Sequence, residues 1–359
     1  MYTNKEIWNV SYPIFLGLLA QNIINVTDTA FLGRVGEVEL GASAMGGLFY
    51  ICVFTIAFGF SIGSQILIAR RNGEGRYKDV GPVMIQGGTF LLGLAVLMFG
   101  LTHLLAPSVV RLLISSDSIF DATMEFLNWR IFGFFFAFIN VMFRALYIGI
   151  TRTKVLTMNA VVMALVNVLL DYILIFGKFG MPEMGIKGAA IASVMAEAAS
   201  LAFFLIYTYA KVDFKKFGLN HWQKIDFSLL GRILSISCFT MVQYFLAMAT
   251  WFVFFIAIER LGQRELAIAN IVRSIYIVML IPVQALSTTT NSLVSNLIGA
   301  GGIAHVIRLI WRIARMSFFI MIVCVAIVVL FPHQRTGVAG RVCAFVVCHC
   351  CGNGHRIGG

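Results

Sequence analysis

The sequence predicts an all-α, polytopic membrane protein of about nine transmembrane helices, built as two lobes related by a parallel repeat with the second lobe incomplete. Three observations carry this reading. The 359 residues are 60% hydrophobic and only 12% charged, with a mean hydropathy of +0.91, and long, nearly uncharged apolar runs recur along the chain. Only a chain meant to span a bilayer needs that much apolar surface, and a transmembrane barrel would show short alternating segments instead. Second, basic and acidic residues occupy alternate loops. Third, the chain resembles itself at a fixed offset.

Taken in order, spans are predicted over residues 8–32, 45–69, 81–106, 127–150, 155–176 and 186–210. The first run is long, has polar flanks and lacks a small-residue cleavage site, so it reads as a retained span rather than a signal peptide. These helices form an N-terminal six-helix lobe, residues 1–210. The charged stretch 211–228 reads as a cytoplasmic linker, and spans over 229–258, 266–297 and 313–332 form a partial C-terminal lobe, residues 229–332.

The formal net charge of +11 could indicate nucleic acid, but its distribution excludes that partner. Arg70, Arg71, Arg76 and Lys78 share one loop; Arg152 and Lys154 another; Lys211, Lys215, Lys216 and Lys224 a third; Arg308, Arg312 and Arg315 a fourth. The intervening loops hold Glu37 and Glu39, Asp117 and Asp121, and Glu183. This positive-inside pattern places a multi-pass protein in a plasma membrane, a bacterial inner membrane, with its N-terminus in the cytoplasm.

At an offset of 226 residues, Gly36, Glu39 and Leu40 coincide with Gly262, Glu265 and Leu266, and Gly73 and Gly75 coincide with Gly299 and Gly301. Apolar helices yield chance identities, but loop glycines and a Gly-x-x-Glu-Leu pair do so less readily. Both copies run in one direction, as in transporters built from parallel repeats. At that offset the second unit stops about midway. Residues 333–359 form a cysteine-rich tail, with Cys343, Cys348, Cys350, Cys351, His349 and His355. Their spacing fits no closed zinc site, so no metal is expected, and the tail reads as an out-of-frame or aberrant terminus.

The informative polar residues lie inside the apolar runs. Asp171 sits within Val155–Phe176, with Asn167 one turn earlier, and Asp28 sits in the first span at a similar depth. A carboxylate at mid-span costs roughly 2.5–3.5 kcal/mol on the insertion scale, so such groups mark ion or proton pathways by default. Ser193 of the sixth span reaches the same level. Oxygen donors of this kind suit a shared proton or a hard cation such as Na⁺. Gln21 and Asn25 share the face of Asp28 and are read as lining a cavity or a helix interface. Glu197, a turn beyond Ser193, either extends a proton path or is hydrogen-bonded between helices. Arg130 and Arg144 are placed near span ends, where snorkelling accounts for them. Gln243 and Gln284 are candidate cavity-lining residues of the second lobe, which carries no acid in its middle thirds; the repeat partner of Asp28 is Phe254.

Four stretches together resemble the MATE (multidrug and toxic compound extrusion) transporters: NVTDTAFLGRVG in the first span, the loop QILIARRNGEG, the inner stretch RALYIGITRTK, and NVLLDYILIFGKFG followed by GIKGAAIAS. The resemblance covers about residues 5–330. It implies two six-helix lobes working by alternating access, and export of drugs or organic cations in exchange for H⁺ or Na⁺. It also implies a cation or proton site at Asp28, Asn167 and Asp171, with Ser193 where relatives often have Thr. The glutamate that some members use in the seventh span falls near Ala247, and the tenth to twelfth helices are not found. No cofactor beyond the coupling ion is expected. The expected partners are a small-molecule drug and the lipid bilayer, and the chain is expected to be a monomer. The alternatives are a lipid-linked saccharide flippase of related architecture, which would favour basic cavity residues, and a non-transporting fragment. An enzyme is not expected, because the spans hold no nucleophile–base pair or metal motif.

Overall fold

The computed structural model describes residues 2–114, 116–219, 226–259 and 263–330, so the cysteine-rich tail lies outside the described residues. Within them the chain is helical, in the order α1 (Asn4–Val35), α2 (Glu37–Gly73), α3 (Val80–Leu113), α4 (Asp117–Arg130), α5 (Gly133–Gly149), α6 (Lys154–Ile175), α7 (Gly185–Lys211), α8 (Phe214–Phe217), α9 (Phe227–Glu259), α10 (Gln263–Gly299) and α11 (Val306–Leu330). Eight of these helices are long and apolar enough to cross a membrane, and a ninth span results if α4 and α5, bent 54° at their break, are counted together. In lipid every backbone amide must be satisfied internally, which is why continuous helices carry the crossings.

Most helices overrun the predicted spans by a turn or so, and two differences matter. The fourth span begins at Asp117 rather than near residue 127, because α4 continues into a stretch whose acids, Asp117, Asp121 and Glu125, look like loop. The linker also holds the short helix α8, capped by Asp213, whose Oδ1 accepts from the amides of Lys215 and Lys216 at 2.9 and 3.0 Å.

The repeat is visible in the backbone. Both α2 and α10 are 37 residues long, and each ends in a loop with a glycine in the left-handed region, Gly75 at φ 74° and Gly301 at φ 78°. L side chains avoid that conformation. Each loop is closed by equivalent bonds: Gly75 N donates to Asn72 O and Arg76 N to Arg71 O, while Gly301 N donates to Ile298 O and Gly302 N to Leu297 O. A short 3₁₀ turn follows in both, Tyr77–Asp79 and Ile303–His305, and then α3 or α11.

The helices expected to form the two lobes are α1–α7 and α9–α11. They meet mainly through α2 against α9 and α10, and α1 against α10. The polar bonds across the seam lie toward the ends that carry the basic loops, called here the basic face. Ser237 Oγ donates to Phe60 O at 3.0 Å, Thr240 Oγ1 to Gly59 O at 3.0 Å and Gln65 Nε2 to Thr288 O at 3.3 Å. Nearer the surface Ser292 Oγ donates to Ile148 O at 2.6 Å, and Asn296 Nδ2 to Gly149 O at 3.0 Å. Asn72 Nδ2 donates to Asn296 Oδ1 at 2.7 Å.

The closest approach is reciprocal. A Cβ on Gly73 would collide with the carbonyl of Asn296, and one on Gly299 with the carbonyl of Arg70. These two contacts are related by the repeat offset, so α2 and α10 cross about a local two-fold.

Gly73→Val should therefore lower the thermal unfolding midpoint in detergent by the equivalent of about 1–3 kcal/mol, the usual cost of forcing volume into a packed contact. Gly93→Ala, where a Cβ meets open space, should leave it unchanged or raise it slightly. Equal midpoints for both variants would contradict the crossing.

Candidate functional site

The expected carboxylates come together. Asp28 lies seven residues before the end of α1, and Asp171 four residues before the end of α6, about 10 and 6 Å from the acidic face at the helical rise. Helices α1 and α6 pack along each other, and the two carboxyls interact directly. Asp171 is fully buried (0% exposed), Asn167 is 1% exposed, and Asp28 is half-buried.

What this cluster lacks is donors. Both Asp171 carboxylate oxygens, one Asp28 oxygen and both polar atoms of the Asn167 amide are buried without a hydrogen-bond partner among the described residues. Each such orphan costs roughly 1–3 kcal/mol in a folded protein, and an acceptor surplus of this kind is relieved by a proton or a hard cation. Ser193 lies half-buried on α7, which packs along α6, and donates no hydrogen bond to either carboxylate among the described residues. Gln21, Asn25, Gln243 and Gln284 are exposed on α1, α9 and α10; none joins the carboxylate cluster.

One expectation needs correction. Arg130 does not snorkel. It is the last residue of α4, at the break before α5, and points into the helix bundle. It forms a forked ion pair with Glu197 instead, Nη2 to Oε1 at 2.6 Å and Nη1 to Oε2 at 3.0 Å. The two side chains are only 13% and 8% exposed. Glu197 is thus hydrogen-bonded between helices, the second of its two expected roles: a carboxylate twelve residues into α7 meets a cation at its own depth. Tyr50 Oη donates to the same carboxylate at 3.1 Å, and its ring lies under the guanidinium, 3.6 Å from Cζ to centroid. Asn140 Nδ2 donates to the Glu197 carbonyl at 2.9 Å.

Four helices, α2, α4, α5 and α7, are thus tied at the α4–α5 break. Gly133 makes room: a Cβ there would strike Arg130, the Glu197 carboxylate and the Tyr50 hydroxyl. Arg130 is also close enough to act electrostatically on Asp28, which links the ion pair to the carboxylate cluster. The sequence held the signal for this pair, two opposite charges within spans, but a span start placed ten residues late hid it.

Arg144 lies near a helix end as expected, five residues before the end of α5. Its guanidinium is 5.4 Å from the Phe58 ring centroid, and Phe58 meets Tyr244 of α9 edge-on at 5.2 Å.

Comparison with known proteins agrees with this architecture. Residues 13–173, which include both carboxylates, match the MatE family model. The chain is 25% identical over 249 residues to the "Probable multidrug resistance protein NorM" of Idiomarina loihiensis, covering 66% of this chain and 53% of that one. It is 25% identical over 328 residues to the protein of the same name from Rhizobium meliloti, covering 90% of this chain and 70% of that one. The chain spans about half the length of several of the curated relatives it matches. Among solved structures, it superposes with a TM-score of 0.85 at 18% identity on one described as the outward-facing conformation of a multidrug resistance MATE family transporter of the MOP superfamily, covering 95% of this chain and 77% of that chain.

The ion pair gives a stability test. Arg130→Met strands a buried carboxylate and should cost about 3–5 kcal/mol, whereas Arg130→Met combined with Glu197→Met should recover most of the loss. Unfolding of the purified protein in detergent measures both. A double variant as unstable as the single one would show that the two charges act independently.

Proposed function

We propose, for a chain whose residues 13–173 match the MatE family model, a secondary active antiporter that exports drugs or organic cations in exchange for H⁺ or Na⁺. The observation that carries this reading is the cluster of Asp28, Asn167 and Asp171: three helix-borne polar groups with buried atoms that lack hydrogen-bond partners among the described residues, in a membrane protein whose described polar seam bonds lie toward one face. Such a cluster exchanges a small cation with the medium. A cleft between two rigid lobes supplies the path for a larger solute.

In this reading the basic face is cytoplasmic, in a plasma membrane of bacterial inner-membrane type. The division runs as residues 1–210, a linker 211–228 and a second lobe from 229. The protein acts as a monomer and needs no cofactor beyond the coupling ion. With the cleft open toward the acidic face, Asp28 and Asp171 take up the incoming cation, Asn167 contributes its amide oxygen, and affinity for the cationic solute falls. The lobes then rock, the seam at Gly73 and Gly299 opens, and the ion leaves toward the basic face. The emptied carboxylate pair favours loading of a cationic solute, and the reverse motion exports it. Arg130, held by Glu197 beside this path, limits the positive charge that Asp28 can gather. Ser193 is a weaker contributor from α7.

Reconstituted vesicles test the reading. A tenfold gradient of H⁺ or Na⁺ should drive up to about tenfold accumulation of a cationic dye per coupled ion. Asp171→Asn should abolish accumulation while leaving thermal stability intact or higher, because an uncompensated buried carboxylate is removed. Undiminished gradient-driven accumulation by Asp171→Asn would remove Asp171 from the mechanism.

A further inference from the structure

At the basic face an open groove of about 790 Å³ lies between the start of α1 and the first three turns of α11. Lys5, Arg312 and Arg315 supply cations to its walls, where Arg308 also lies, with Trp311 and Phe319 beside them, and no carboxylate among the described residues lines it. The nearest acid in sequence, Glu6, is engaged by its own helix cap, accepting from Thr3 N at 2.7 Å and from Thr3 Oγ1 at 2.9 Å. The groove is tied across its floor, where Arg312 Nη1 donates to the carbonyl of Tyr2 at 2.6 Å. Arg308, Arg312, Arg315 and Phe319 follow at spacings of four, three and four residues, so they share one face of α11.

Topology alone explains basic residues in loops and in the first turn of a span. It accounts for the sign of Arg312 and Arg315 too, but not for their convergence with Lys5 on one groove. They lie six and nine residues beyond the start of α11 at Val306, about 9 and 14 Å along the helix. Both precede its uncharged run, which begins at Met316. The stripe then turns apolar at Phe319, and Trp311 is exposed at the same level, in the manner of an interfacial anchor. Cations converging from two elements, an aromatic belt residue and an apolar lower wall match one chemistry: a phosphodiester headgroup with its acyl chains running down α11.

We propose that this groove is a binding site for an anionic phospholipid of the leaflet at the basic face. The lipid bridges α1 of the first lobe and α11 of the second. Its phosphate sits among Arg312, Arg315 and Lys5, and its chains lie along Phe319. The assignment is independent of what the protein transports.

The test uses the purified full chain in mixed micelles doped with phosphatidylglycerol, with phosphatidylcholine, or with inorganic phosphate alone. Native mass spectrometry reads retained lipid, and the unfolding midpoint reads stabilisation. Phosphatidylglycerol should be retained and should raise the midpoint; the other two should do neither. Arg312→Gln with Arg315→Gln should weaken retention about thirtyfold, two near-surface cations being removed. Lys78→Gln with Lys215→Gln, which removes the same charge elsewhere on that face, should leave it intact. If the first pair does not fold, Arg315→Gln alone should cost about fivefold, since it spares the Arg312 bond to Tyr2.

Equal loss in both charge-matched variants would overturn the site in favour of diffuse surface attraction. Equal stabilisation by inorganic phosphate would overturn the lipid as its occupant, and so would equal retention of phosphatidylcholine.

Discussion

Two backbones touch at the basic face, and the relation of the lobes rests on that contact. Gly73 of α2 faces the carbonyl of Asn296, and Gly299 of α10 faces the carbonyl of Arg70. Without a hydrophobic drive between helices in lipid, close approach through small residues and seam hydrogen bonds must hold the lobes together. Here both devices operate at one place. The glycines let the chains near, and Asn72, Asn296, Ser292 and Gln65 then reach donors or acceptors across the seam. Each contact depends on the distance that the others set, so the seam is one unit rather than a sum of bonds.

The chemistry does not share this symmetry. The repeat relates α2 to α10 and their loops residue by residue, yet the position matching Asp28 is Phe254. The acceptor-rich cluster and the forked ion pair both sit in the first lobe, within electrostatic reach of one another through Arg130 and Asp28. Among the described residues, a scaffold doubled in its backbone therefore bears its buried carboxylates in the first half, while α10 carries Arg273, whose Nε is buried. The cost of burying Arg130 and Glu197 is offset by pairing, the Tyr50 hydroxyl and its aromatic face, whereas the Asp171 oxygens have no hydrogen-bond donor among the described residues. That contrast separates a structural charge pair from an exchangeable site.

Much of the fold was legible from the chain because lipid imposes a simple code. Long apolar runs marked the spans, the alternation of loop charge marked two faces, and the paired glycines at 73, 75, 299 and 301 marked the repeat that the loops now display in matched bonds. The adjacency of Asp28 and Asp171 was also legible, as two costly groups at one level. The fourth span was misread because hydropathy cannot distinguish a polar loop from a helix whose acids face outward. Asp117, Asp121 and Glu125 on α4 are of that second kind. The error moved Arg130 to a span end and so concealed its partner. Pairings such as Arg130 with Glu197 depend on the rotation of helices about their axes, and apolar periodicity is too weak in all-round greasy helices to specify rotation.

The position of the glycine crossing along α2 and α10 has a mechanical meaning. Both helices have 37 residues, roughly 55 Å at the helical rise, and they touch most closely at their last turn. A pair of rods joined near one tip is a lever. A change in crossing angle of about 5° displaces the far tips by roughly 5 Å over that length, while the atoms at the joint barely move. Opening at the acidic face is thereby geared to strain that is almost invisible at Gly73 and Gly299. The joint can stay packed to atomic contact while the acidic end swings through the width of a small molecule's ring, and only the reverse swing has to part it.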